Sequence, residues 1–114
     1  MKVAVYGTLK KGGRLSNAMS NVEFLGAETL SHFQMFNLGW FPGIKRSRNF
    51  MDTIKVEVYE TNEDHLARLD VIEGVPHLYT RSTTFLEDGS ECFIYTYNRE
   101  TSDIDQIKSG DFSV

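Results

Sequence analysis

The sequence of 114 residues predicts an α+β fold, mostly strand, around one sizeable helix. Three observations carry that expectation. Residues 53–61 alternate, with Ile54, Val56 and Val58 on one face and Lys55, Glu57 and Tyr59 on the other, the period of a strand. The residues that follow have the cap and the charge of a helix start. Farther on, Asp88-Gly89 stands between two strand-like runs, and Asp-Gly is the strongest short hairpin signal. The chain reads as a single domain over residues 1–114, without repeats or linkers. It is long enough to bury a core unaided, since only chains below about 40 residues usually need disulfides or metals.

Residues 1–6 set Val3 and Val5 against Lys2 and Ala4, a strand buried on at least one face. This strand runs into Tyr6-Gly7-Thr8-Leu9 and the loop Lys10-Lys11-Gly12-Gly13, and a short helix is expected near residues 15–19. Val22, Phe24 and Leu25 form a strand leading into Gly26, and Leu30, Phe33, Met35, Phe36 and Leu38 form the next. Gly39-Trp40-Phe41-Pro42-Gly43 reads as a turn whose aromatics either plug the core or wall a pocket. Lys45-Arg46-Ser47-Arg48 reads as a solvated loop. After the strand at 53–61, Thr61 and Asn62 offer capping oxygens, and Glu63 and Asp64 put negative charge in a first helical turn. A helix is therefore expected over 62–72, closed by a left-handed cap at Gly74 and stopped by Pro76. Residues 79–86 and 91–97 form the hairpin through Glu87-Asp88-Gly89-Ser90, and a polar tail carries Ile104, Ile107 and Phe112.

Composition narrows the function classes. A net charge of −4 argues against nucleic acid as a partner, because phosphate binding needs clustered Lys and Arg. Cys92 is the one cysteine, so no internal disulfide forms, which fits a reducing compartment. Apolar runs fall well short of the roughly 20 residues that span a bilayer, and no signal-peptide pattern precedes Gly7. A cytoplasmic location, no membrane association and a monomer are expected. His32, His65 and His77 have no metal-type spacing with one another or with Cys92, so no metal is expected. Cys92 alternates with Ile94 and reads as core.

Two stretches carry chemistry. A strand that ends in a glycine turn leaves N–H groups pointing outward, able to cradle an anion or an oxyanion, and Gly7 admits close approach. An ordinary turn is the competing reading. Thr8 has no partner base in the sequence and reads as orienting the loop. In the helix, Leu66, Leu69 and Glu73 fall on one stripe, which faces the core because Asp64, Arg68 and Asp70 occupy the remaining surface. Glu73 thus ends an apolar face at a helix C-terminus. Desolvation and the helix dipole both raise its pKa there, as suits a general acid and base. Periodicity alone equally allows Glu73, as the last helical residue, to splay into water.

Together these stretches belong to a larger motif set. It comprises Tyr6-Gly7-Thr8-Leu9, Phe41-Pro42-Gly43, Val58-Tyr59-Glu60, Leu66-x-x-Leu69-Asp70-x-x-Glu73-Gly74, Tyr79-x-Arg81 and Ser109-Gly110-Asp111-Phe112. In order and spacing this resembles the γ-glutamylcyclotransferase superfamily, in the branch that includes γ-glutamylamine cyclotransferase and AIG2-like proteins. The resemblance implies a small mixed β-barrel with short flanking helices and a central cavity. It implies that Tyr6, Gly7, Thr8 and Leu9 bind the γ-glutamyl part of a small-molecule substrate through the backbone, that Tyr79 and Tyr97 line the cavity, and that Glu73 is the catalytic acid/base. The implied reaction is internal: the α-amine of a γ-glutamyl amine, amino acid or peptide attacks its own γ-carbonyl, releasing an amine and 5-oxoproline without a cofactor. Removal of a γ-glutamyl protecting group in a biosynthetic pathway is a variant with the same chemistry. The family often has glycine at Val56, where valine narrows the expected cavity, and tryptophan at Phe112. A non-catalytic member of the same fold that binds a small ligand or a protein is the alternative.

Overall fold

The computed structural model describes residues 1–113. In chain order the elements are β1 (Lys2–Val5), β2 (Glu23–Ser31), β3 (Phe33–Asn37), β4 (Pro42–Arg46), β5 (Thr53–Glu60), α1 (Glu63–Ile72), β6 (Tyr79–Phe85) and β7 (Glu91–Tyr97), with 3-10 turns at Ser16–Met19 and Asp103–Asp105. β1 lies at the centre of a five-stranded mixed sheet of order β2-β5-β1-β7-β6. It pairs antiparallel with β5 and parallel with β7.

β1 is buried on both faces because each is covered by a different element. Val3 and Val5 point to a cluster with Leu66 and Leu69 of α1, Tyr59 and Tyr95. Ala4 points to the opposite cluster, with Leu30, Ile54, Val56 and Val58 and with Phe33, Met35 and Ile44 from β3 and β4. The alternation read in β5 holds, but both of its faces are covered around Val56 to Tyr59: Tyr59 is buried, and its hydroxyl donates to Glu57 Oε1 at 2.9 Å. Burial, aided by that carboxylate, pushes the Tyr59 phenol up to about 12.

The expected closed barrel is not found. β3 and β4 form a separate two-stranded sheet, and among the described residues no strand pairing joins the edges β2 and β6. The cause is local. His32 adopts a left-handed φ of 69°, so the chain leaves the β5 edge after Ser31, while the His32 amide donates to Asp52 O at 2.8 Å. The β3–β4 hairpin then packs against β5 and β7 without joining their sheet.

Other boundaries also move. β2 continues through Gly26, which marks a bulge between Phe24 and Gly26 rather than a strand end. The turn expected at Gly39–Gly43 is tighter: Leu38 N–H bonds Phe41 O at 2.9 Å, and β4 starts at Pro42. Lys45 and Arg46 are therefore strand residues, not a solvated loop. Lys45 lies over the Tyr97 ring, and Arg46 Nη2 donates to Thr83 O at 2.7 Å. The short helix expected near residue 15 is the 3-10 turn Ser16–Met19.

α1 matches its expected span, with Asn62 Oδ1 accepting from the His65 amide at 2.9 Å. His65 itself is buried, bonded through Nε2 to Ala18 O at 2.8 Å and through Nδ1 to Thr61 Oγ1 at 2.6 Å, and so ties the helix to the Ser16–Met19 turn. Cys92 is buried as expected, and burial, with a smaller effect from Glu28, pushes its thiol up to about 12. Ile107 and Phe112 of the tail pack on the core, whereas Ile104 is exposed. Val114 lies outside the described residues. Among these residues no helix is long and apolar enough to cross a membrane.

Leu69 is fully buried in the cluster that contains Val3 and Val5, so Leu69→Ala is expected to cost about 2–5 kcal/mol in urea unfolding. Ile104→Ala, at a site 91% exposed, is expected to change stability by no more than about 0.5 kcal/mol.

Candidate functional site

The C-terminal end of α1 is fixed by a Schellman motif. The Gly74 amide donates to Val71 O at 3.1 Å and the Val75 amide to Asp70 O at 2.9 Å, with Gly74 at φ 66°. Glu73 is the C-cap residue at φ −83°, and its amide bonds Leu69 O at 2.8 Å. The stripe that buries Leu66 and Leu69 thus carries Glu73 onto the wall of a cavity of about 230 Å³. The remaining walls come from the end of β1 and the loop after it, the start of β4, and Tyr79 and Tyr95.

Tyr6, Gly7, Thr8, Leu9, Tyr79 and Glu73, all named from the sequence, line this one cavity. Val56 does not. It lies in the cluster on the opposite face of the sheet, so the expected narrowing at that position does not occur. Phe41 is a cavity wall, while Trp40 is 83% exposed and plugs nothing. Tyr97 does not line the cavity; it supports Tyr79, with ring centroids 5.4 Å apart.

The Glu73 carboxyl is half-buried, and desolvation moves its pKa from the ordinary 4.5 to about 7. Burial is the cause; the helix dipole invoked from the sequence is not needed to account for it. A carboxyl so placed can accept and return a proton near neutral pH.

The tyrosine hydroxyls around Glu73 are committed to the protein. Tyr6 donates to Tyr95 O at 2.6 Å, Tyr79 to Pro42 O at 2.6 Å and Tyr95 to Asp70 Oδ1 at 2.8 Å. Burial is the largest influence raising all three phenols above their ordinary value, so they remain protonated donors. The hydroxyl protons of Tyr6 and Tyr79 are therefore already donated, so towards a ligand these side chains present their rings and at most a hydroxyl acceptor. Asp70 is not surface filler, as its helical position suggested. It also pairs with Arg81 at 3.3 Å and so links the helix end to β6 and β7.

The loop after β1 is held from several directions. Lys10 N–H bonds Gly7 O at 3.0 Å, Gly13 N–H bonds Lys10 O at 2.8 Å and Leu15 N–H bonds Thr8 O at 2.9 Å. Lys11 N–H donates to Glu57 Oε1 at 2.9 Å, and Lys10 Nζ reaches Asp111 and the Phe112 carbonyl. Among the described residues the amides of Gly7, Thr8 and Leu9 meet no acceptor. Gly7 is required for packing as much as for access, because a Cβ there would lie 2.7 Å from the Pro42 ring.

Sequence reasoning missed Tyr95 and Arg14 as cavity residues and Asp70 as the partner of Tyr95 behind the wall. Asp70 and Arg81 stand in the motif set, and an acid on α1 paired with a base on β6 was their available signal. Tyr95 and Arg14 carry no sequence signal, because their roles depend on which loop folds beside which strand. Arg14 and Glu73 are the charged residues on the cavity wall.

Comparisons with known proteins bear on the family and the fold. A family profile described as gamma-glutamyl cyclotransferase, AIG2-like, matches residues 3–114. The gamma-glutamylcyclotransferase family protein YtfP of Escherichia coli K12 is 30% identical over 112 residues, covering 98% of this chain and 96% of that protein. The crystal structure of an uncharacterized protein from Pyrococcus horikoshii superposes with a TM-score of 0.82 at 28% identity, over 97% of this chain and 88% of that one. An AIG2-like protein from Mus musculus shares the fold, with a TM-score of 0.76 at 24% identity over 91% of this chain and 80% of that one.

A carboxyl whose folded pKa is raised destabilises the protein when it ionises. That loss begins above the unfolded value of 4.5, grows as pH rises to about 7 and is constant beyond. Glu73→Gln removes it. The variant is expected to melt higher than the parent at pH 8, with the difference shrinking towards zero at pH 4, as read by thermal unfolding across that range.

Proposed function

The chain belongs to the gamma-glutamyl cyclotransferase, AIG2-like family, and from that premise we propose that it cyclises a γ-glutamyl amine, amino acid or peptide to 5-oxoproline. The observation that carries this reading is the burial-shifted Glu73 carboxyl on the same cavity as Gly7, Thr8 and Leu9, whose amides meet no acceptor among the described residues.

The ionised carboxylate of Glu73 takes a proton from the substrate's α-ammonium group. The freed amine attacks the γ-carbonyl carbon, forming the new C–N bond and moving the carbonyl electron pair onto oxygen. Backbone amides of the glycine turn are the donors suited to that oxyanion. Glu73 then returns its proton to the departing nitrogen, the old C–N bond breaks as the carbonyl reforms, the ring nitrogen gives up its second proton to the departing amine, and 5-oxoproline and the ammonium form of the amine leave. The nucleophile belongs to the substrate, so neither Thr8 nor Cys92 is called upon. The rings of Tyr6, Phe41 and Tyr79 give the cavity apolar walls that favour a folded glutamyl chain over an extended one, which is the entropic part of the task.

The test is 5-oxoproline release from a panel of γ-glutamyl compounds, followed by mass spectrometry. Activity is expected in the parent, with an acidic limb in kcat/KM near pH 7, where Glu73 loses its proton. Glu73→Gln is expected to lower kcat by a factor of about 10²–10⁴. A parent that binds 5-oxoproline in calorimetry and turns over no panel member would instead be a small-ligand binder.

A further inference from the structure

Arg14 has a position and a freedom that the cyclisation step itself does not use. It follows Gly13 in the loop after β1. Gly13 packs so closely on Thr8 O that a Cβ there would collide with it. The flanking bonds Leu15 N–H to Thr8 O and Ser16 N–H to Gly13 O fix the backbone on either side. The Arg14 Cα is thus held in place beside the glycine turn, while its side chain is exposed and lines the cavity.

The other cations of this loop are engaged. Lys10 binds Asp111 at 3.0 Å and Phe112 O at 2.9 Å, and Lys11 lies 3.5 Å from the centre of the Phe24 ring. Among the described residues Arg14 has no carboxylate within ion-pair distance and no hydrogen-bond acceptor. An uncompensated guanidinium on a small cavity is a fork suited to a carboxylate.

Which carboxylate it meets follows from the depth of the two charges. Glu73 is half-buried and desolvated, so the reacting α-amine and γ-carbonyl must reach inward to it and to the amides of the glycine turn. The bond that breaks joins the γ-carbonyl to the leaving amine, and a leaving amine on the far side of that carbonyl would extend towards the exposed Arg14. Building on the cyclisation proposed above, we propose that Arg14 is a specificity-determining residue that recognises a carboxylate on the leaving amine. The preferred substrate class is then γ-glutamyl amino acids and peptides rather than γ-glutamyl derivatives of neutral or cationic amines.

The test compares γ-glutamylalanine with γ-glutamylethylamine, which differ only in the leaving-group carboxylate. The ratio of their kcat/KM values is expected to exceed one in the parent. Arg14→Ala is expected to lower that ratio by about tenfold, Arg14→Lys to retain part of it, and rising salt to erode it, as charge-assisted contacts at an exposed mouth should. Arg48→Ala removes the same charge away from the cavity and is expected to leave the ratio at the parent value. An Arg14→Ala ratio equal to that of the parent overturns the proposal. So does an equal loss on both substrates with weakened 5-oxoproline binding, which would place Arg14 on the glutamyl α-carboxylate. If the parent turns over neither compound, the cyclisation reading fails by itself, and calorimetry of the same pair decides the role of Arg14. A binding preference for γ-glutamylalanine that Arg14→Ala abolishes supports it, and a parent without that preference overturns it.

Discussion

The packing of one helix face against one strand governs the site. Leu66 and Leu69 are buried on Val3 and Val5 of β1, and that contact sets the rotation of α1. Once the rotation is set, Glu73 follows Leu66 by seven residues and lies on the same side. The Schellman motif at Gly74 then ends the helix at that residue, so Glu73 neither continues into another turn nor swings away. The same β1 strand runs directly into Tyr6-Gly7-Thr8-Leu9. One contact therefore places both the carboxyl and the amide turn, on adjoining elements, around a single cavity.

The site is reinforced by bonds that tie its wall residues to the protein behind them. Asp70 lies one turn before Glu73 and accepts from Tyr95, while also pairing with Arg81. The Tyr6 hydroxyl binds the backbone of Tyr95, and the Tyr79 hydroxyl binds that of Pro42. These bonds cross from α1 to β7, from the glycine turn to β7 and from β6 to β4. They hold the walls in register and leave Glu73 as the group whose ionisation costs stability. A destabilised acid in a rigid, satisfied surround is the arrangement expected where function and stability compete.

Legibility in the sequence followed the range of the interaction. α1, β5 and the β6–β7 hairpin were readable because capping, period-2 alternation and an Asp-Gly turn are local signals. Helical periodicity, which is local too, put Glu73 at the end of the apolar stripe but equally allowed it to splay into water, and it was the larger motif set that singled it out. The two-sheet arrangement was not readable, because it turns on one left-handed residue, His32, that carries no glycine to announce it. β4 was obscured by Pro42 and by the charges of Lys45 and Arg46, which find a tyrosine ring and a backbone carbonyl only after folding. The position of Val56 relative to the cavity, and the presence of Arg14 and Tyr95 on its wall, depend on contacts between distant segments, and no pattern along the chain encodes them.

Folding places the Glu73 carboxyl on the cavity wall in a desolvated setting. The most direct test is the pH titration of the Glu73 side-chain carboxyl by carbon-13 NMR, with and without 5-oxoproline. A midpoint near 7 is expected in the free protein, displaced when the ligand fills the cavity. A midpoint at the ordinary 4.5, indifferent to the ligand, would contradict it.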